Sequence, residues 1–218
     1  MIENRVRRAL VVGATGVVGR EIEGLLLGDR GVAQVSTWLR RAPAQPSTDP
    51  RAVSTVVDFE RLEDSAPLIG VDQLFLAVGT TIGKAGSQAA FRAVDFDLPL
   101  RVARLARANG TPHVLLVSAL GASAASGVFY NRVKGELEDA IAALGFRSFT
   151  VARPSLLLGA REEFRPGEWV AKRFAFLFPP SMRGVYPRQV AAALVRAAAD
   201  DAPGHRVIEN AELRTFPR

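Results

Sequence analysis

Short apolar runs alternate along this chain with longer stretches in which apolar residues recur every three or four positions. The runs ALVVG (9–13), QVSTWL (34–39), AVSTVV (52–57), DQLFLAV (72–78), HVLLVSAL (113–120) and RSFTVARP (147–154) read as strands. Helical periodicity fills the intervals: VVGREIEGLLLG after the first strand, 86–109 before the fifth, 129–144 before the sixth, and VAAALVRAAAD opened by Pro187 near the end. Pro99 falls inside the second of these stretches, and a proline lacks the N–H that a helix interior needs, so a bend or break is expected before it. Strands that are apolar throughout, separated by helices, describe a parallel sheet covered on both faces. The expected fold is α/β, a doubly wound parallel sheet in a single domain spanning 1–218. Beyond Pro154 the pattern turns charged and rich in Pro and Gly, so 154–186 is expected to form a substrate-facing cap, with Val170, Phe174, Leu177 and Phe178 on one helical face.

Composition narrows the function classes. The 218 residues are 48% hydrophobic and 23% charged, enough to bury a core, and no apolar run approaches the roughly 20 residues that a bilayer demands. No signal peptide is evident, and with no membrane segment the expected location is cytoplasmic. Cysteine is absent and only His113 and His205 occur, which removes thiolate chemistry and leaves no histidine cluster for a metal. The excess of 28 Lys and Arg over 22 Asp and Glu gives a net charge of +6, but the arginines are scattered and lack interleaved aromatics, so nucleic acid is not the expected partner. His113, entering a strand, reads as structural.

Two groups of residues carry chemistry. GATGVVG places Gly13, Gly16 and Gly19 between the first strand and first helix, where the backbone of Thr15, Val17 and Val18 adds amides at a helix N-terminus that can hold a pyrophosphate. At the end of the second strand, where an NAD site carries an acid for the ribose hydroxyls, the chain reads WLRR. Arg40 and Arg41 there suit a 2′-phosphate and favour NADP(H) over NAD(H). Asp58 with Phe59 follows the third strand, and Asp58 either receives the adenine amino group or caps a turn; Gly79, Thr80 and Thr81 follow the fourth, beside the expected cofactor. The second group is Ser118 at the end of the fifth strand with Tyr130 and Lys134, four apart on one helical face. A phenol is a poor base at neutral pH, a nearby ammonium stabilises its phenolate, and a serine hydroxyl can orient a carbonyl, so the set suits hydride transfer.

GATGVVG, Ser118, YNRVKGELE and VARPSLLLG together resemble the short-chain dehydrogenase/reductase superfamily in its atypical branch. GTTIGKAGSQAAFRAVDFD and RPSLLLGAREEFRPGEW are similar to its small Tat-interactive-protein-like group, and the likeness runs over nearly the whole chain. It implies a Rossmann fold, NADP(H) at the glycine turn and catalysis by Ser118, Tyr130 and Lys134, with Tyr130 and Lys134 also touching the cofactor. It further implies that Arg153, Pro154 and Ser155 form the wall beside the nicotinamide. The function it implies is an oxidoreductase acting on an unidentified carbonyl or alcohol. The alternative is an NADP(H)-binding regulator that works through a protein partner.

Overall fold

A computed structural model describes residues 6–62, 71–159 and 183–218. The aromatic face proposed for 170–178 lies outside these residues, as does most of the expected cap. Seven strands form one sheet: β1 (Arg7–Val12), β2 (Val32–Leu39), β3 (Ala52–Val56), β4 (Gln73–Leu76), β5 (His113–Val117), β6 (Ser148–Arg153) and β7 (Gly204–Glu209). Their order is β3-β2-β1-β4-β5-β6-β7, and every pair is parallel. The chain winds outward from β1 in one direction and then, from β4, in the other. The crevice between the carboxyl ends of β1 and β4 is therefore the place where ligands bind in such sheets.

The alternation within β1 shows why both faces need cover. Ala9 and Val11 join one buried cluster while Leu10 and Val12 join the other, all four almost wholly shielded from solvent. Helices α1 (Val17–Gly28) and α6 (Pro187–Asp200) cover the first face through Ile22, Leu26, Val190 and Leu194. The second face takes α4 (Leu98–Ala108) and α5 (Phe129–Ala142) through Val102, Ala106, Leu137 and Ile141.

The bend expected before Pro99 is a π-helical turn. After the short helices α2 (Ile82–Ala85) and α3 (Gln88–Arg92), residues Ala93–Asp97 widen the helix, with the Leu98 N–H donating to the Ala93 carbonyl, and α4 follows with Pro99 in its first turn. Widening the helix there relieves the clash that the proline ring would have with the carbonyl four residues earlier, which is that of Asp95.

Strand β7 and the one-turn helix α7 (Asn210–Leu213) are not predicted by the sequence pattern. The strand is at the sheet edge, and of its six residues only Ile208 is buried, so it carries no apolar run.

Candidate active site

The turn after β1 is built for close backbone approach. Gly13 has a φ of +95°, and a Cβ on it would lie 2.6 Å from the Ala77 carbonyl at the end of β4. A Cβ on Gly19 would lie 2.1 Å from the Gly13 oxygen, so the first turn of α1 rests directly on the strand end. The Gly16 N–H donates to the Gly13 carbonyl (2.9 Å), and no side chain caps α1. The amides of Val17, Val18 and Gly19 thus have no intrahelical acceptor. The Arg20 guanidinium folds back onto the Thr15 carbonyl (3.2 and 3.3 Å), adding positive charge beside the exposed Thr15.

Arg40, after β2, and Asp58 with Phe59, after β3, line one hollow of about 390 Å³ together with Val56, Val57 and Glu60. Arg40 and Arg41 are both exposed at the end of β2. Asp58 does cap a turn: its Oδ1 accepts the Glu60 N–H (2.9 Å), and the carboxylate remains on the wall of the hollow.

Across the crevice, α5 aligns Tyr130, Lys134 and Glu138 at intervals of four, so the three side chains run down one face of the helix. The Tyr130 ring packs against Phe91 with centroids 5.5 Å apart, and Phe91 also meets Phe129 (5.8 Å). The Lys134 ammonium is buried and pairs with Asp95 Oδ1 at 2.7 Å, while Asp95 Oδ2 accepts the Thr80 N–H (2.8 Å). A Cβ built on Gly79 would be 3.4 Å from Asp95 Oδ1 and 3.8 Å from Lys134 Nζ, so the end of β4 runs beside this ion pair. Thr81 turns its hydroxyl to the Lys84 N–H and caps α2.

Ser118 belongs to a different set of contacts. Its buried hydroxyl donates to Glu138, which also receives the Arg153 guanidinium at 2.6 Å. Glu138 lies two helical turns, about 12 Å of axial rise, beyond Tyr130. Arg153 bridges onward to Glu209 (3.0 Å), and Glu138 first, then Glu209, holds the guanidinium pKa above its ordinary value despite some burial. Pro154 is buried, its carbonyl accepting the Leu120 N–H (2.8 Å). Ser155 gives its N–H to buried Asn210 (2.9 Å) and its hydroxyl to the Arg183 carbonyl (2.7 Å), which Asn210 also binds (2.8 Å). The structure therefore brings Lys134 to Gly79 and Thr80, ties Ser118 to Arg153 through Glu138, and keeps the polar groups of Ser155 within the protein.

Asp95, Glu138, Gly135 and Asn210 are structurally engaged residues that the sequence reading does not single out. Asp95 had a visible signal. Phe91, Asp95, Pro99, Val102 and Ala106 form one buried stripe, and an acid in an apolar stripe needs a buried partner. Gly135 carries another: a Cβ there would fall 2.2 Å from the Ser123 carbonyl carbon, so only glycine lets the loop after β5 lie on α5.

No family model matches the chain. Over 214 residues it is 36% identical to Protein HTATIP2 of Rattus norvegicus, a match that takes in 96% of this chain and 88% of that one. The chain belongs to the HTATIP2-like group of atypical short-chain dehydrogenases/reductases. A second relative in the group, the mitochondrial protein fmp52 of Emericella nidulans, is 38% identical over 170 residues, covering 76% of this chain and 73% of its own. The fungal relatives' names stand against reading a cytoplasmic location from sequence alone; among the described residues no helix is long and apolar enough to cross a membrane. Among solved structures, a short chain dehydrogenase family protein from Francisella tularensis superposes with a TM-score of 0.68 at 13% identity, over 95% of this chain and 98% of that one. MoeE5 in complex with UDP-glucose and NAD gives 0.70 at 16% identity, over 92% and 75%. At such identities the likeness is one of fold, the Rossmann fold that the motifs imply.

Proposed function

We propose that this protein is an NADP(H)-dependent oxidoreductase of the short-chain dehydrogenase/reductase type, reducing a small carbonyl compound or oxidising the matching alcohol. The observation that carries the reading is the convergence on one crevice of the glycine turn, the Gly79–Thr80 backbone and the buried Lys134 ammonium. The site fits a dinucleotide. Glycines clear the backbone at the turn after β1, and free amides head α1 for a pyrophosphate. The hollow at Arg40, Asp58 and Phe59 would take the adenine end, where Arg40 on its wall, with the neighbouring exposed Arg41, would attract a 2′-phosphate. The NAD held by MoeE5 in its complex supports a nicotinamide dinucleotide in this fold.

When bound, the nicotinamide supplies the hydride for reduction. Tyr130 gives its phenolic proton to the carbonyl oxygen as the carbonyl carbon receives that hydride, leaving an alcohol and a phenolate beside Lys134. The ammonium compensates the phenolate and holds the nicotinamide ribose. Ser118 spends its own proton on Glu138, so it presents lone pairs rather than a proton to the site, and proton donation falls to Tyr130. Arg153, Pro154 and Ser155 complete the wall at the end of β6.

With a panel of small aldehydes and ketones, NADPH oxidation followed by absorbance should fall by a factor on the order of 10² to 10⁴ in Tyr130→Phe, the usual worth of acid–base catalysis, with cofactor affinity little changed. Ser118→Ala should lose only about tenfold, since its hydroxyl is not the proton donor. Wild-type turnover in Tyr130→Phe would overturn the mechanism.

A second reading, an NADP(H)-binding protein that acts through a protein partner, is favoured by the same bond from Ser118 to Glu138, which draws the serine away from a catalytic trio. It predicts NADPH uptake with no turnover across the panel.

A further inference from the structure

Asp95 stands out among the buried side chains because it is a carboxylate in an apolar helical stripe, with its side chain only 1% exposed. An isolated buried charge is costly, and the cost is met here by two partners from two elements: the Lys134 ammonium on α5 and the Thr80 N–H after β4. The π-helical turn aids this arrangement. Asp95 lies within the turn Ala93–Asp97, and π-helical turns inside helices are frequent at functional sites. Gly79 borders the pair on the side of the β4 end, where a Cβ would touch Asp95 Oδ1 at 3.4 Å and Lys134 Nζ at 3.8 Å. A lysine has four rotatable side-chain bonds and no preferred direction of its own; a carboxylate held by a backbone amide gives it one.

We propose that Asp95 is the positioning residue of the crevice: it holds the Lys134 ammonium fixed against the Gly79–Thr80 backbone so that the nicotinamide half of the cofactor, and not the adenine half, is seated. This rests on the functional reading above, since it assigns Lys134 to the cofactor. The carboxylate acts through Lys134 and touches neither cofactor nor substrate. Its effect is confined to one end of the dinucleotide, because the adenine hollow at Arg40 and Asp58 is lined by other residues.

The test compares NADPH with its adenine half alone, adenosine 2′,5′-bisphosphate, in calorimetric titrations of the wild type and Asp95→Asn. Asparagine keeps an oxygen for the Thr80 N–H and removes the charge that holds Lys134. The expected result is a loss of about tenfold in NADPH affinity, with no change for the bisphosphate. The fluorescence enhancement of the bound dihydronicotinamide, which reports how its ring is seated, should fall at the same time. In a Lys134→Gln background, Asp95→Asn should cost NADPH binding nothing further, because the two residues act as one unit. Should Asp95→Asn alone not fold, the double variant carries the test, since it leaves no unpaired buried charge: it should bind the bisphosphate as the wild type does and NADPH about tenfold more weakly. Unchanged NADPH affinity and fluorescence in Asp95→Asn would overturn the proposal. So would parallel loss of the bisphosphate, which would mark a general structural role, or a further loss in the Lys134→Gln background. A wild type that takes up no NADPH would overturn the functional reading and this proposal with it, whereas failure in the variants alone leaves the functional reading standing.

Discussion

Gly19 and Gly24 sit in the same helix and make opposite predictions. A methyl group at Gly19 would meet the Gly13 oxygen at 2.1 Å, a contact that only a shift of α1 away from β1 can relieve. Gly19→Ala should therefore destabilise the fold by about 1–3 kcal/mol, the usual range for overpacking, and weaken cofactor binding at the displaced amides. Gly24 is exposed, with nothing within 4 Å of a Cβ, so Gly24→Ala should gain about 0.5–1 kcal/mol from helix propensity alone. Denaturant unfolding of both variants checks the pair, and equal effects would show that the packing of Gly19 on Gly13 does not set the turn. Both glycines are plain in the sequence, but the motif identifies only the first as constrained. The same divide separates the other site residues. Tyr130 and Lys134 were legible because four-residue spacing fixes a helical face, whereas the partner of Ser118 was not, because Glu138 reaches it only once β5 and α5 are packed.

Among the elements, α5 and β5 show what spacing conveys and what it leaves out. Helix α5 matches its expected start at Phe129 and ends two residues earlier than predicted, at Ala142. Its contact with the loop 122–125 depends on Gly135, and Gly135→Ala should push that loop off the helix and lower the melting temperature more than Gly24→Ala raises it. Strand β5 begins with His113, whose structural role the sequence suggested without its partners. Nδ1 meets Asp201 and Nε2 meets Thr150, each at 3.1 Å, and Asp201 holds a φ of +44° at the end of α6. Burial pushes the His113 imidazole below its ordinary value of 6.5, with Asp201 pulling the other way less strongly. The unfolded chain therefore binds this proton more readily than the folded one. Stability from the neutral ring is complete above about pH 6.5 and is lost as the pH falls from there through the folded-state value. Melting temperatures taken from about pH 7 to about pH 5 should fall in the wild type and fall less steeply in His113→Asn. Parallel curves would remove His113 from the acid sensitivity of the fold.

For the whole molecule, alternation of apolar runs with helical periodicity was enough to indicate a doubly wound parallel sheet, because strands buried on both faces have no polar side to show. One edge escaped that logic, while the other, β3, was legible. Strand β7 buries one residue of six, and its place beside β6 comes from hydrogen bonding along the sheet, which leaves little mark on side-chain pattern. The π turn escaped too, since Pro99 signals a bend but not the way the helix accommodates it. What the assembled sheet adds is the crevice between β1 and β4, where the glycine turn meets the end of β4 and the Asp95–Lys134 pair lies beside Gly79, the two places that we propose one extended ligand spans. The central claim is that this ligand is NADP(H). Calorimetric titration of the wild-type protein with NADPH and with NADH tests it most directly. The prediction is a single site binding NADPH at least about tenfold more tightly than NADH, a difference near 1.4 kcal/mol that Arg40→Ala with Arg41→Ala removes. Equal affinities for the two would contradict the choice of NADP(H), and uptake of neither would contradict the site itself.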